Sequence, residues 1–170
     1  MNMDEKKYIL KARLIKGPDD SGPYNNAELT QWMCDLINPL LNKLKSKIIT
    51  GDAVFALFGQ VPRSGHGDNK HRKLYRANIR KSMIKDDLNF KNKSKGKELE
   101  LHIIFFMTKD YERRDLDNLL KPLLDSLEGY WFDNDGQIKR ILVEKYKVKD
   151  VKKGVDPLMY EQIYCTAKII

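Results

Sequence analysis

The residues of this chain best suited to chemistry are Asp115 and Asp117, two positions apart in Arg113-Arg114-Asp115-Leu116-Asp117-Asn118-Leu119-Leu120-Lys121-Pro122. Pro122 sets the geometry expected of them. A proline inside a helix loses a backbone bond and clashes with the preceding turn, at about 3 kcal/mol, but is tolerated in the first turn. The spacing therefore predicts a helix that begins near Asn118, a favourable N-cap type, carries Leu119, Leu120, Leu123, Leu124 and Leu127 on one face and stops at Gly129. Asp115 and Asp117 then fall in extended chain, where residues two apart point the same way. Two converging carboxylates, with Lys121 just beyond and Arg113 and Arg114 just before, resemble a metal site facing a phosphate. The plainer alternative is that the acids only cap the helix and oppose its dipole. A further acidic cluster at Asp133-Asn134-Asp135 shifts the balance towards chemistry, although on its own it reads equally well as a turn.

That set of groups suits Mg²⁺, which takes hard oxygen ligands and keeps several waters, so a few carboxylates plus a substrate phosphate suffice; Mn²⁺ is the alternative ion. A bound ion would generate a nucleophile from water and offset charge on the phosphate. Lys121 could neutralise developing charge or position the water. Asp125, further along the same helix, reads as a supporting acid.

Several elements must position these groups. Leu99 to Met107 alternates at first and then turns apolar on both faces, as in a central strand that delivers the acids. Asp52 to Phe58 is another apolar run suited to a central buried strand, followed by a polar glycine-containing loop at 59–67. Asn69 to Ile84 reads as a helix with Tyr75, Ile79 and Met83 spaced by four beside the basic row Arg72, Arg76 and Arg80, and Asn89 to Gly96 as a lysine-studded loop. Ile138 to Val148 and Tyr160 to Ile170 read as two closing strands. The expected class is α/β (α+β): a mixed sheet of about four strands in the order β-α-β-α-β-β with two main helices. Residues 1–51 read as a separate N-terminal extension with an amphipathic helix from Leu29 to Ile48, interrupted at Pro39, and residues 52–170 as the main domain.

Composition narrows the class of function. The net charge of +8 is concentrated between Gln60 and Lys97, where twelve Lys or Arg face three Asp. Such a stretch suggests a nucleic-acid footprint, with Arg63 beside the arginine row as phosphate contacts that position without reading sequence. No apolar run approaches the roughly 20 residues of a membrane helix, and the charged start lacks the apolar core of a signal peptide. Cys34 and Cys165 stand alone and read as buried reduced thiols of a cytoplasmic protein, and three histidines form no zinc pattern.

The run from Arg114 to Leu127, with Trp131-Phe132-Asp133-Asn134-Asp135-Gly136-Gln137-Ile138 after it, resembles the signature of the RusA family of Holliday-junction resolvases. That signature is an Asp-x-Asp-Asn-x-x-Lys block, a leucine-rich helix with a further Asp, and an aromatic and acidic turn before Gln and an aliphatic residue. The resemblance runs from about Asp52 to the C-terminus. It implies a small α/β homodimer that cuts four-way DNA junctions with Mg²⁺, and it implies Asp115, Asp117 and Asp135 as metal ligands with Lys121 beside the scissile phosphate. Arg63, Arg72, Arg76, Arg80, Arg113, Arg114 and Asn118 would hold DNA. Where the family usually shows two acids before the Gln, this chain has Asn134-Asp135, so counting back from Gln137 favours Asp135 over Asp133 as the third acid. Two other readings follow the same residues: a branched-DNA binder that does not cut, and a nuclease for flap or other branched DNA.

Overall fold

The computed structural model describes residues 51–58, 73, 75–77, 79–80, 85–108, 111–149, 153 and 160–170. Residues 1–50 of the N-terminal extension, the loop 59–67, and Arg63, Arg72 and Cys34 lie outside the described residues.

In chain order the elements are β1 (Ala53–Phe58), α1 (Lys85–Ser94), β2 (Leu99–Met107), α2 (Leu116–Leu127), β3 (Ile138–Lys147) and β4 (Gln162–Ile169). A 3-10 turn at Asp135–Gln137 leads into β3. The four strands form one mixed sheet in the order β1-β4-β2-β3. β4 runs antiparallel to both β1 and β2, and β2 runs parallel to β3. The chain thus has the mixed α+β architecture that its pattern predicts.

β2 covers the expected span, lies between β4 and β3, and is buried on both faces. Leu101, Ile103, Phe105 and Met107 face one side and Ile104 and Phe106 the other, all at 0–1% exposure. On the first face they meet Leu119, Leu123 and Leu127 of α2, with Trp131 and Phe132 completing the core. On the second face the buried His102 sits with Nε2 2.9 Å from Glu144 Oε2 on β3, and the Tyr146 hydroxyl donates to Glu144 Oε1 at 2.8 Å. Burial, followed by this carboxylate, raises the Tyr146 pKa.

Three expectations need correction. The first concerns β1, which reads as a central strand yet lies at an edge of the described sheet. A continuous apolar run reports burial of the two faces and carries no information about lateral neighbours.

The second concerns residues 89–96, most of which belong to α1 and not to a loop. Phe90 supplies its anchor, buried and edge-on to Trp131 with ring centroids 5.7 Å apart, while Ser94 Oγ donates to the Trp131 carbonyl at 2.7 Å. Neither contact leaves a helical period in so polar a segment. Upstream, the described positions between 73 and 80 are helical as expected, with Tyr75 and Ile79 buried.

The third concerns α2, which starts at Leu116, so that Pro122 lies inside it. Losing one backbone bond at Pro122 costs about 3 kcal/mol, whereas fully burying three leucines contributes about 2 kcal/mol each. Leu119, Leu123 and Leu127 are all at 0% exposure, and Pro122 is itself buried. Packing therefore outweighs the local preference. The helix ends where Gly129, at φ +84°, turns the chain and donates to the Phe132 carbonyl at 2.7 Å.

Candidate active site

β2 delivers the chain to the carboxyl end of its parallel pair with β3, and α2 then runs back over the sheet. Asp115 is the N-cap of α2, with φ −76° and ψ 152°, and Asp117 lies in the first helical turn. The two acids are therefore not both in extended chain, and the alternation expected to align them applies to Asp115 alone. Both are exposed, and the Asp115 side chain makes no capping hydrogen bond. At a helix N-terminus the free backbone N–H groups favour negative charge, whether a carboxylate or a phosphate. Lys121 is exposed one turn beyond Asp117, at the i, i+4 spacing that puts the two side chains on one face; Asn118 is half-buried.

The turn that leads into this site is held from β3. Lys145 Nζ donates to the carbonyls of Tyr111 at 2.7 Å and Arg114 at 2.6 Å, and lies 4.7 Å from the centre of the Tyr111 ring. Lys147 pairs with Glu112 at 2.7 Å on the surface. Arg113 is exposed, whereas Arg114 is buried to 8% exposure and so is less available to a ligand.

Asp135 is elsewhere. It opens the 3-10 turn before β3, and Leu99 at the start of β2 lies opposite Ile138 at the start of β3. Asp135 thus sits at the amino end of the parallel pair, while Asp115 follows its carboxyl end. The twelve residues of α2 between them span about 18 Å. In keeping with this, no three His, Cys, Asp or Glu among the described residues lie close enough to hold a metal ion.

Within the acidic turn both aspartates are exposed, and Asp133 lies 3.5 Å from Lys91 Nζ. Gln137 fixes the turn by accepting the Asp133 N–H at 2.7 Å and donating to the carbonyls of Ser94 at 2.8 Å and Lys97 at 2.9 Å.

Of the basic residues, Arg76 is exposed, together with Lys73, Lys93, Lys95 and Lys97. Arg80 is half-buried with its guanidinium 5.4 Å from the centre of the Tyr130 ring. Sequence reasoning missed Lys145, because a lysine in a strand that reads Ile-Lys-Arg-Ile-Leu-Val-Glu-Lys-Tyr-Lys carries no mark of an inward contact.

As donors, Asp115 and Asp117 fit a hard divalent ion, for which one or two carboxylates completed by water and a substrate phosphate are a common set. Asp115, Asp117 and Lys121 thus share the N-terminal part of α2, and the exposed basic residues give the domain a surface suited to a polyanion. The family model described as Endodeoxyribonuclease RusA matches residues 62–155, more than half of the chain, and the chain belongs to that family of endodeoxyribonucleases. No curated protein matches the chain.

Proposed function

We propose that this protein is a divalent-metal-dependent endodeoxyribonuclease that resolves four-way DNA junctions as a homodimer. The observation that carries the reading is the exposed Asp115–Asp117 pair at the N-terminus of α2, one turn before Lys121, in a chain of the RusA family. Asp115 and Asp117 would hold Mg²⁺ or Mn²⁺, which when bound supplies a water nucleophile at neutral pH and offsets charge on the phosphate. Lys121 donates to the non-bridging oxygens of the scissile phosphate, and Arg76, Arg80, Arg113 and Asn118, with Arg63 and Arg72, engage the DNA backbone. Each phosphate contact of this kind steepens the salt dependence of binding by about one unit of slope.

The third acid, Asp135, enters through the dimer. Two sites related by a two-fold axis are what paired cuts in a junction need. β3 offers an edge for such an axis among the described strands, with Ile141 and Leu142 at 40% and 44% exposure. Antiparallel pairing of two β3 edges would carry Asp135 of the partner subunit towards the carboxyl end of β3, the end at which Asp115 lies. Cytoplasmic action on recombining DNA is part of the same reading.

A second reading is a branched-DNA binder that does not cut. It is favoured by the separation of Asp135 from Asp115 within one protomer and by Asn134 in the position of a family acid. Incubation of the protein with a synthetic four-way junction, a flap and a linear duplex, each with and without Mg²⁺ at one salt concentration, separates these readings. Paired nicks in the junction that require Mg²⁺ support the resolvase; preferred cutting of the flap makes it a different nuclease; binding without cutting under every metal condition supports the second reading.

A further inference from the structure

The first turn of α2 is weakly held by its own bonds. Asp115 adds no side-chain cap, the first backbone bond, from the Leu119 N–H to the Asp115 carbonyl, is long at 3.3 Å, and Pro122 has no N–H to offer the Asn118 carbonyl. Yet a two-carboxylate centre needs its donors fixed to within a fraction of an ångström. Whatever holds this turn must come from another element.

Lys145 on β3 meets that need. Its two short bonds to the Tyr111 and Arg114 carbonyls span the turn that leads into α2, and the Tyr111 hydroxyl returns a bond to the Lys145 carbonyl at 3.4 Å. The Arg114 carbonyl belongs to the peptide plane that joins Arg114 to Asp115, so its orientation sets the backbone from which the Asp115 side chain departs. Lys145 itself is fixed by β2, since it lies opposite Phe105 in the parallel ladder.

We infer that Lys145 is a positioning residue for the Asp115–Asp117 pair: it transmits the rigidity of the central sheet to the carboxylates without touching substrate. This inference rests on the metal-dependent nuclease reading. Groups that orient metal ligands are typically worth on the order of 10- to 100-fold in metal affinity or activity. Lys147, two residues along the strand, pairs with the Glu112 side chain and lies 5.9 Å from the centre of the Tyr111 ring. It thus touches side chains of the same turn where Lys145 bonds its carbonyls, and it serves as the control.

The test compares the wild-type protein with Lys145→Gln, Lys145→Arg and Lys147→Gln. Two quantities are read: the Mg²⁺ concentration at half-maximal junction cleavage, and the rate of trypsin cleavage after the exposed Arg113. For Lys145→Gln the expected result is an Mg²⁺ midpoint raised on the order of 10-fold or more, unchanged junction binding, and faster cleavage after Arg113. Lys145→Arg, which keeps charged donors, recovers part of both effects, and Lys147→Gln matches the wild type. If Lys145→Gln does not fold, the partial shift in Lys145→Arg carries the test. An unchanged Mg²⁺ midpoint in folded Lys145 variants overturns the inference even if trypsin cleavage accelerates, because the lysine would then hold the loop only. A wild-type protein that never cuts DNA overturns the functional reading instead, and the two failures are distinct.

Discussion

Gln137 donates its side-chain amide to the Ser94 carbonyl at 2.8 Å, and this bond ties the acidic turn to the last residue of α1. The same amide reaches Lys97, and the side-chain oxygen accepts from Asp133. One side chain thus joins α1, the strand lead-in and the turn that carries Asp135. Net hydrogen-bond contributions are about 1 kcal/mol each, so Gln137→Ala is expected to lower stability by about 2–3 kcal/mol. Urea unfolding followed by tryptophan fluorescence measures this, and a loss below about 0.5 kcal/mol, the ordinary range for a surface change, would show that the turn holds its shape without Gln137.

Pro122 gives a prediction of opposite sign. Replacing it by Ala restores a bond to the Asn118 carbonyl, a gain of about 3 kcal/mol on the helix scale. Against this stand the lost burial of the ring, about 1 kcal/mol, and the freer unfolded chain, up to about 1 kcal/mol. The gain is larger, so Pro122→Ala is expected to stabilise the protein by about 1 kcal/mol. A melting temperature lowered by the substitution would mean that the ring's packing matters more than the missing bond.

Stability should fall on the alkaline side. Burial pushes the Cys165 thiol and the Tyr75 hydroxyl well up, Tyr75 being further raised by Cys165. Groups with raised pKa values in the folded state contribute fully below their unfolded values and lose that contribution as pH rises towards the folded ones. Folding stability is thus expected to be flat towards neutral pH with respect to these groups and to decline above about pH 9, where an unfolded thiol ionises. Cys165→Ala should make that decline shallower. Chemical denaturation at intervals from pH 7 to 10.5 measures the slope, and identical slopes in the two proteins would contradict the assignment.

The spatial separation of Asp135 from Asp115 makes a dimer experiment decisive. If the proposed dimer forms, Asp117→Asn and Asp135→Asn proteins should each be inactive on their own. When the two are mixed and allowed to exchange, a site shared between subunits is restored once per heterodimer, from Asp117 of one chain and Asp135 of the other. Mixing should therefore recover nicking at one strand of the junction, without the paired cut. No recovery in a mixture proven to contain heterodimers would mean that each protomer uses its own acids.

The limits of the sequence are instructive at particular residues. β2 was legible from end to end because its alternation and later two-sided apolar run match burial on both faces. Asp115, Asp117 and Lys121 were legible as a motif, since type and spacing suffice to mark them. Their local geometry was not, because Pro122 argues for a late helix start and only the depth at which Leu119, Leu123 and Leu127 pack reverses that argument. α1 was hidden because Phe90 is its one deeply buried apolar anchor amid lysines and asparagines. The distance from Asp115 to Asp135 depends on the parallel pairing of β2 and β3, which no short-range pattern encodes.

In the proposed reaction Asp115 and Asp117 carry phosphodiester hydrolysis. The most direct test of this is the single-turnover rate of junction cleavage in saturating Mg²⁺ by Asp117→Asn, beside the dissociation constant for the same junction. A rate reduced on the order of 10³-fold or more, equivalent to about 4 kcal/mol of transition-state stabilisation, with binding unchanged, is the predicted result. A rate within a few-fold of the wild type would contradict it.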